Sequence, residues 1–228
     1  MELLLLRHAQ PAWVIDSFAQ VDPPLTDLGH RQADLAADRL AGIAVDEVLI
    51  STALRAQQTA RPLLERLPDL PNQSRAWLHE IRSPESWQDT PGEEVNRILR
   101  EARDRPRDAW WDGMDSGGES FRDFHARVVD GLTHELAQHG IVRDDETGLW
   151  EVQKNAIDRI LLVAHAGTNS VVLGHLLGVA PEPWEWERFA SNHASITTLA
   201  TTPISGHHIF SLQGFSDVAH FDDALVTE

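Results

Sequence analysis

The sequence predicts an α/β fold built on a largely parallel sheet, and two observations carry that reading. Short apolar runs of strand length alternate with segments of helical period from end to end, the pattern of β-strands joined through crossover helices. The runs "LLLL" (3–6) and "ILLVA" (160–164) are apolar without alternation, as strands buried on both faces are. No internal repeat or low-complexity linker interrupts the alternation, and the chain is read as one domain over residues 1–228.

The first strand covers Glu2 to Leu6. Thr26 is suited to cap a helix from Asp27 to Leu40, in which Leu28, Leu35, Ala36 and Leu40 share one face. "VDEVLIST" (45–52) reads as a second buried strand and "ALRAQQTARPLLERL" (53–67) as its helix, with Pro62 marking a bend because proline lacks the amide donor. "PDLPNQS" reads as a loop, "RAWLHEI" as a short edge strand, and another loop follows. After "SGGES", Phe121, Phe124, Val128, Leu132 and Leu136 recur at helical spacing up to Gly140. Residues 141–158 are polar and read as a solvent-exposed hairpin. A strand at 159–164, a helix from Thr168 to Leu177, a short helix within Pro181–Arg188, and strands at "SITTLAT" and "HIFSLQG" complete the chain.

Composition narrows the function. Nineteen Lys+Arg against 36 Asp+Glu give a net charge of −17, which disfavours nucleic acid and anionic membrane surfaces as partners. No apolar run approaches the roughly 20 residues of a membrane span. With no basic leader ahead of the leucines, the simplest localisation is cytoplasmic. The absence of cysteine removes disulfides and thiolate metal ligands. An acidic chain still binds an anion where a few arginines concentrate in one pocket.

Three strand ends offer that concentration. Ligands of parallel α/β sheets sit outside the carboxyl ends of the strands, next to helix N-termini whose free amides favour anions. The first strand delivers Arg7 and His8, the second Ser51 and then Arg55, and the third His165 followed by "AGT". Guanidinium forks pair with phosphoryl oxygens while a neutral imidazole attacks phosphorus, so this set suits phosphoryl chemistry.

These stretches resemble the histidine phosphatase superfamily, which includes the phosphoglycerate mutase-like proteins. The "RHG" that follows a hydrophobic strand in that superfamily is matched by "LLLLRHA", with Ala9 replacing glycine. "LTDLGHRQA" (25–33), "STALRAQQTA" (51–60), "GGES" (117–120) and "VAHAGTNSVVL" (163–173) are similar to its later blocks, in the same order over nearly the whole chain. The resemblance implies a three-layer α/β/α sandwich with a mostly parallel central sheet. It also implies a cofactor-independent phosphomonoester hydrolase with a phosphohistidine intermediate, no metal and a small phosphorylated metabolite as substrate. His8 would be the nucleophile, with Arg7, Arg55, His165 and Ala166 binding phosphate. Glu80 in "WLHEI" is the match for the general acid, and Glu85 is its rival. A homodimer is one assembly compatible with the resemblance.

The sequence also departs from the family pattern. Gln10 and Val14 stand where an acid and an asparagine are common, and "IRSPESWQDTPGEE" replaces the stretch that sets specificity. Absence of the mutases' "RHYG" after Glu80 argues against a phosphoglycerate mutase. Retention of His8 argues against a non-catalytic phosphate-binding module. "HELAQH" (134–139) spaces its histidines five apart, unsuited to the zinc motif. His193, His207, His208 and His220 read as structural or solvated, while Trp13, Trp87, Trp184 and Trp186 fall where they could rim the pocket.

Overall fold

The first strand, β1 (Glu2–Arg7), lies in the middle of an eight-stranded sheet, and its leucines alternate between two separate cores. The structure is a computed structural model and describes residues 1–113, 117–144 and 146–228. In chain order β1 is followed by β2 (Val14–Ile15), β3 (Phe18–Ala19), α1 (Asp27–Ala41), β4 (Glu47–Ser51), α2 (Leu54–Arg66) and β5 (Asn72–Arg75). Next come α3 (Gly92–Ala102), α4 (Arg107–Trp111), α5 (Phe121–Gln138), β6 (Ile141–Arg143) and β7 (Trp150–Val152). The chain closes with β8 (Arg159–Ala164), α6 (Ala166–Leu176), α7 (Glu185–Arg188), β9 (Ile196–Ile204) and β10 (His207–Asp217).

Side-chain alternation produces the three layers. Leu3, Leu5, Leu49, Ile160 and Leu162 pack on α5 and α6, whereas Leu4, Leu6, Val48, Ile50, Leu161 and Val163 pack on α1 and α2. Strands in such a sandwich are covered on both faces, which explains their unbroken apolar runs.

The strand order is β5-β4-β8-β1-β9-β10-β7-β6. The first four strands are mutually parallel and carry every candidate site residue that ends a strand. The other four are antiparallel, so the sheet is mixed, with its parallel half devoted to the site.

Four expectations are revised. The edge strand is Asn72–Arg75, in part of the stretch read as a loop, and "AWL" forms a 3-10 turn instead. Pairing with β4 gives these polar residues a backbone ladder, while their side chains remain in solvent as suits an edge. The region read as a loop after Glu80 contains α3 and α4. The 141–158 hairpin is present but not fully exposed: Ile141 and Trp150 are buried, and β7 joins β10 at the sheet edge remote from β1. α6 begins at Ala166, directly after His165 and two residues earlier than expected. Ser116 of "SGGES" and Asp145 of the hairpin lie outside the described residues.

Candidate active site

Sequence motifs around β1 turn out to be scaffolding for the loop that follows His8. The Ala9 amide donates to Thr59 Oγ1 at 3.0 Å, and that hydroxyl donates to the Arg55 carbonyl at 2.7 Å. Gln32 accepts from the Gln10 amide at 2.9 Å. Gly29 lies so near that an added Cβ would come within 2.2 Å of the Gln10 carbonyl oxygen, so the helix packs on this loop only with glycine there. Thr26 caps α1 through the Gly29 amide at 2.9 Å, and Gln58 accepts from the Leu25 amide at 2.7 Å. "LTDLGHRQA" and "STALRAQQTA" thus hold one rigid turn.

Three of the expected residues share one buried cluster. His8, Arg55 and His165 are 3%, 2% and 0% exposed, and the His8 and His165 rings are 5.1 Å apart. His8 Nδ1 lies 2.8 Å from the Ala9 carbonyl oxygen, which only accepts, so Nδ1 carries the proton and Nε2 keeps its lone pair. Burial lowers the His8 pKa well below its ordinary value, and the Arg55 and Arg7 cations lower it further. Burial, then Arg55, acts on His165 in the same direction. His165 Nε2 is 2.7 Å from Ser51 Oγ.

The cations are desolvated and underused. Burial lowers Arg7 to about 10 and also lowers Arg55, with Glu80 partly offsetting both shifts; each remains a cation at neutral pH. Arg7 donates to the Ser191 carbonyl and lies 3.2 Å from His193 Nε2. Arg55 reaches Asp22 at 3.4 Å and sits 4.9 Å over the Trp13 ring. Yet Arg7 Nε, Arg55 Nε and His165 Nδ1 are buried with no hydrogen-bond partner among the described residues. Unpaired buried donors around one neutral imidazole are what an anion would satisfy.

Glu80 reaches the same place from another direction. It lines one cleft with Arg7 and Ala166, and an adjoining one with Arg55 and Trp13. Its carboxylate accepts from the Gly167 amide at 2.9 Å and from the Ile81 amide at 3.0 Å. Glu119 of "GGES" bonds Arg127 at 2.7 Å, and Arg127 donates to the carbonyls of Trp77 (2.9 Å) and His79 (3.0 Å), fixing the approach to Glu80. Glu85 lies exposed on the rim of the second cleft. Ala166 opens α6 at the cleft wall.

Other expectations resolve individually. Gln10 accepts from Thr26 Oγ1 at 2.8 Å, and Val14 sits exposed on the β2–β3 hairpin. Trp13 and Trp186 border the clefts, Trp87 is buried beside Ala19 and Val95, and Trp184 packs on Trp110. His134 pairs with Gln138 and His139 with Glu47, so the "HELAQH" histidines diverge. Sequence reasoning missed His193, whose ring is 5.6 Å from His8 and whose Nδ1 meets Thr227 Oγ1 at 3.0 Å. It also missed Asp22, which accepts from the Leu54 amide at 3.0 Å and contacts Arg55. Neither sits in a motif, and His193 was read as structural or solvated.

Residues 3–207 match the histidine phosphatase superfamily (branch 1). The chain belongs to that superfamily. It is a histidine phosphatase-superfamily hydrolase, and its candidate site lies at the ends of strands in the parallel half of the sheet. No helix among the described residues is long and apolar enough to cross a membrane.

Among curated proteins it is similar to the 2,3-bisphosphoglycerate-dependent phosphoglycerate mutase of Bartonella quintana, 31% identical over 177 residues, 74% of this chain and 82% of that one. The enzyme of the same description from Brucella melitensis is 29% identical over 197 residues, covering 79% of this chain and 83% of its own. Among solved structures it resembles a mycobacterial glucosyl-3-phosphoglycerate phosphatase complexed with VO3, with TM-score 0.69 and 26% identity, covering 94% of this chain and 98% of that one. A structure described as mycobacterial hydrolase 2 aligns with TM-score 0.71 and 25% identity over 98% of this chain and 94% of its own.

Proposed function

We propose that residues 1–228 act as one domain that hydrolyses phosphomonoesters of small metabolites through a phosphohistidine on His8, without a cofactor or metal. The observation that carries this reading is the His8 tautomer: Nδ1 is held by the Ala9 carbonyl, and burial keeps the ring neutral, leaving Nε2 as the nucleophile. Nε2 attacks phosphorus as the ester P–O bond breaks. Arg7, Arg55, His165 Nδ1 and the α6 N-terminus at Ala166 take the charge that builds on the phosphoryl oxygens. Glu80 gives its proton to the departing alkoxide, then accepts one from the water whose oxygen attacks phosphorus as the N–P bond breaks, so inorganic phosphate leaves and His8 is restored. Glu80 is assigned this role over Glu85 because it stands beside Ala166 and Gly167, whereas Glu85 is on the rim.

Mutase activity is the second reading, favoured by the mutases among the curated relatives. Against it, the stretch after Glu80 is "IRSPES" rather than "RHYG". Phosphate release from a panel of phosphomonoesters including 3-phosphoglycerate, measured with EDTA present for wild type and His8→Ala, separates the readings. Hydrolysis lost in the variant supports the phosphatase. Isomerisation of 3-phosphoglycerate without net phosphate release supports the mutase. Chelator-sensitive hydrolysis restored by added metal refutes the proposed mechanism.

A further inference from the structure

A second cavity of about 260 Å³ adjoins the phosphate cleft, walled among the described residues by Leu99, Ala102, Trp110, Phe121 and Trp186. It adjoins the cleft, since Ile81, Trp186, Arg103 and Glu187 line both. Ile81 directly follows Glu80, so this space lies beside the carboxylate proposed to protonate the leaving group. The walls come from the loop after Glu80 (81–87), from α3, α4 and the start of α5, and from Pro183 with α7, away from the strand ends that build the phosphate cluster.

The charges at its edge are already used. Arg103 pairs with Glu187 at 2.9 Å, Arg82 with Glu119 at 3.6 Å, and Arg105 donates to the carbonyls of Gly113 and Ala109 at 2.6 and 2.7 Å. Among the described residues each cation bordering this cavity already faces a carboxylate or a backbone carbonyl, Arg82 the most loosely. An apolar wall with its polar groups satisfied favours apolar surface and penalises a buried carboxylate. Trp87 also contributes to the wall.

We infer that the alcohol portion of the substrate is uncharged and carries an apolar chain or ring that fills this cavity, so the enzyme favours such phosphomonoesters over phosphoglycerates. This rests on the proposed hydrolase reading and gives it a substrate class. The test is a series of n-alkyl phosphates from ethyl to hexyl, set beside 3-phosphoglycerate, for wild type, His8→Ala and Ala102→Phe. Primary alcohols of this series are leaving groups of nearly equal basicity, so differences in kcat/KM report binding of the chain.

The expected result is a rise in wild-type kcat/KM of about fourfold per added methylene, the equivalent of about 0.8 kcal/mol, until the cavity is full. The hexyl-to-ethyl ratio then collapses toward one in Ala102→Phe, whose ring occupies the same space. A flat wild-type series, or a preference for 3-phosphoglycerate over the longer esters, overturns the inference while His8-dependent hydrolysis leaves the hydrolase reading standing. Absence of His8-dependent hydrolysis with every ester overturns both. The wild-type series decides the question even if Ala102→Phe fails to fold.

Discussion

Ser51 Oγ and His165 Nε2 lie 2.7 Å apart, bringing the end of β4 to the end of β8 inside the site. The Ala53 amide donates to the same oxygen at 3.3 Å, so the hydroxyl proton is free to point at His165. That hydrogen bond places the ring proton on Nδ1, the buried atom left without a partner. Ser51→Ala is expected to lower kcat roughly tenfold, the scale of one buried hydrogen bond. Nitrogen-15 spectra of the His165 ring should show a mixed tautomer in the variant, and an unchanged tautomer would remove this role from Ser51.

Glu80→Gln is expected to cost roughly 10²- to 10⁴-fold for alkyl phosphates, and much less for p-nitrophenyl phosphate, whose leaving group needs no proton. Gly167→Ala should imitate it. An added Cβ would come 2.4 Å from Glu80 Oε1, and the carboxylate, being the end of a flexible side chain, would be displaced rather than the helix. Equal losses for alkyl and aryl esters in both variants would assign Glu80 to binding instead of proton transfer.

In the proposed mechanism attack requires neutral His8, and its pKa is held down by burial and then by Arg55 and Arg7. The acid limb of kcat/KM should therefore fall below the ordinary histidine pKa of about 6.5. In Arg7→Gln the residual activity should show this limb at higher pH, since a cation that opposed protonation is gone. Ring carbon-13 shifts of His8, titrated in both proteins, check the assignment; a limb that stays in place would mean another group controls it.

Glu185 is buried against Gly174 of α6, and burial raises its carboxyl to about 7, against the lowering effects of the Glu182 amide and Arg188. Its folded pKa lies above the unfolded value of about 4.5, so this stabilisation is complete below pH 4.5 and lost as pH rises through 7. Glu185→Gln keeps the acceptor for the Glu182 amide and cannot ionise. Its Tm should therefore gain on wild type between pH 5 and 8, at about 2–4 °C per kcal/mol. Calorimetry showing a constant difference across that range would contradict the buried neutral carboxyl.

Much of the site was legible because its residues follow apolar strands directly. Arg7, His8 and His165 end strands whose burial is written in unbroken Leu, Ile and Val runs, and Arg55 falls in the first turn of the helix after β4. Glu80 was legible only by position within the family pattern, since its loop is held by Arg127 and Glu119 from about 40 to 50 residues downstream. The helix α3 was missed although Val95, Ile98 and Ala102 have helical spacing; the Pro and Gly residues before it read as loop.

The sequence alone determined the buried strands β1, β4 and β8, the placing of Arg7, His8, Arg55 and His165 at or just after their ends, and the resemblance to the superfamily, because each depends on short-range patterning. Tertiary structure alone decided that His193 and Thr227 back Arg7, that Asp22 meets Arg55, and that α3, α4 and Trp186 enclose an apolar cavity. These contacts join segments separated by tens to nearly two hundred residues. Their partners are chosen by how two helical layers close over one mixed sheet, which no local periodicity encodes.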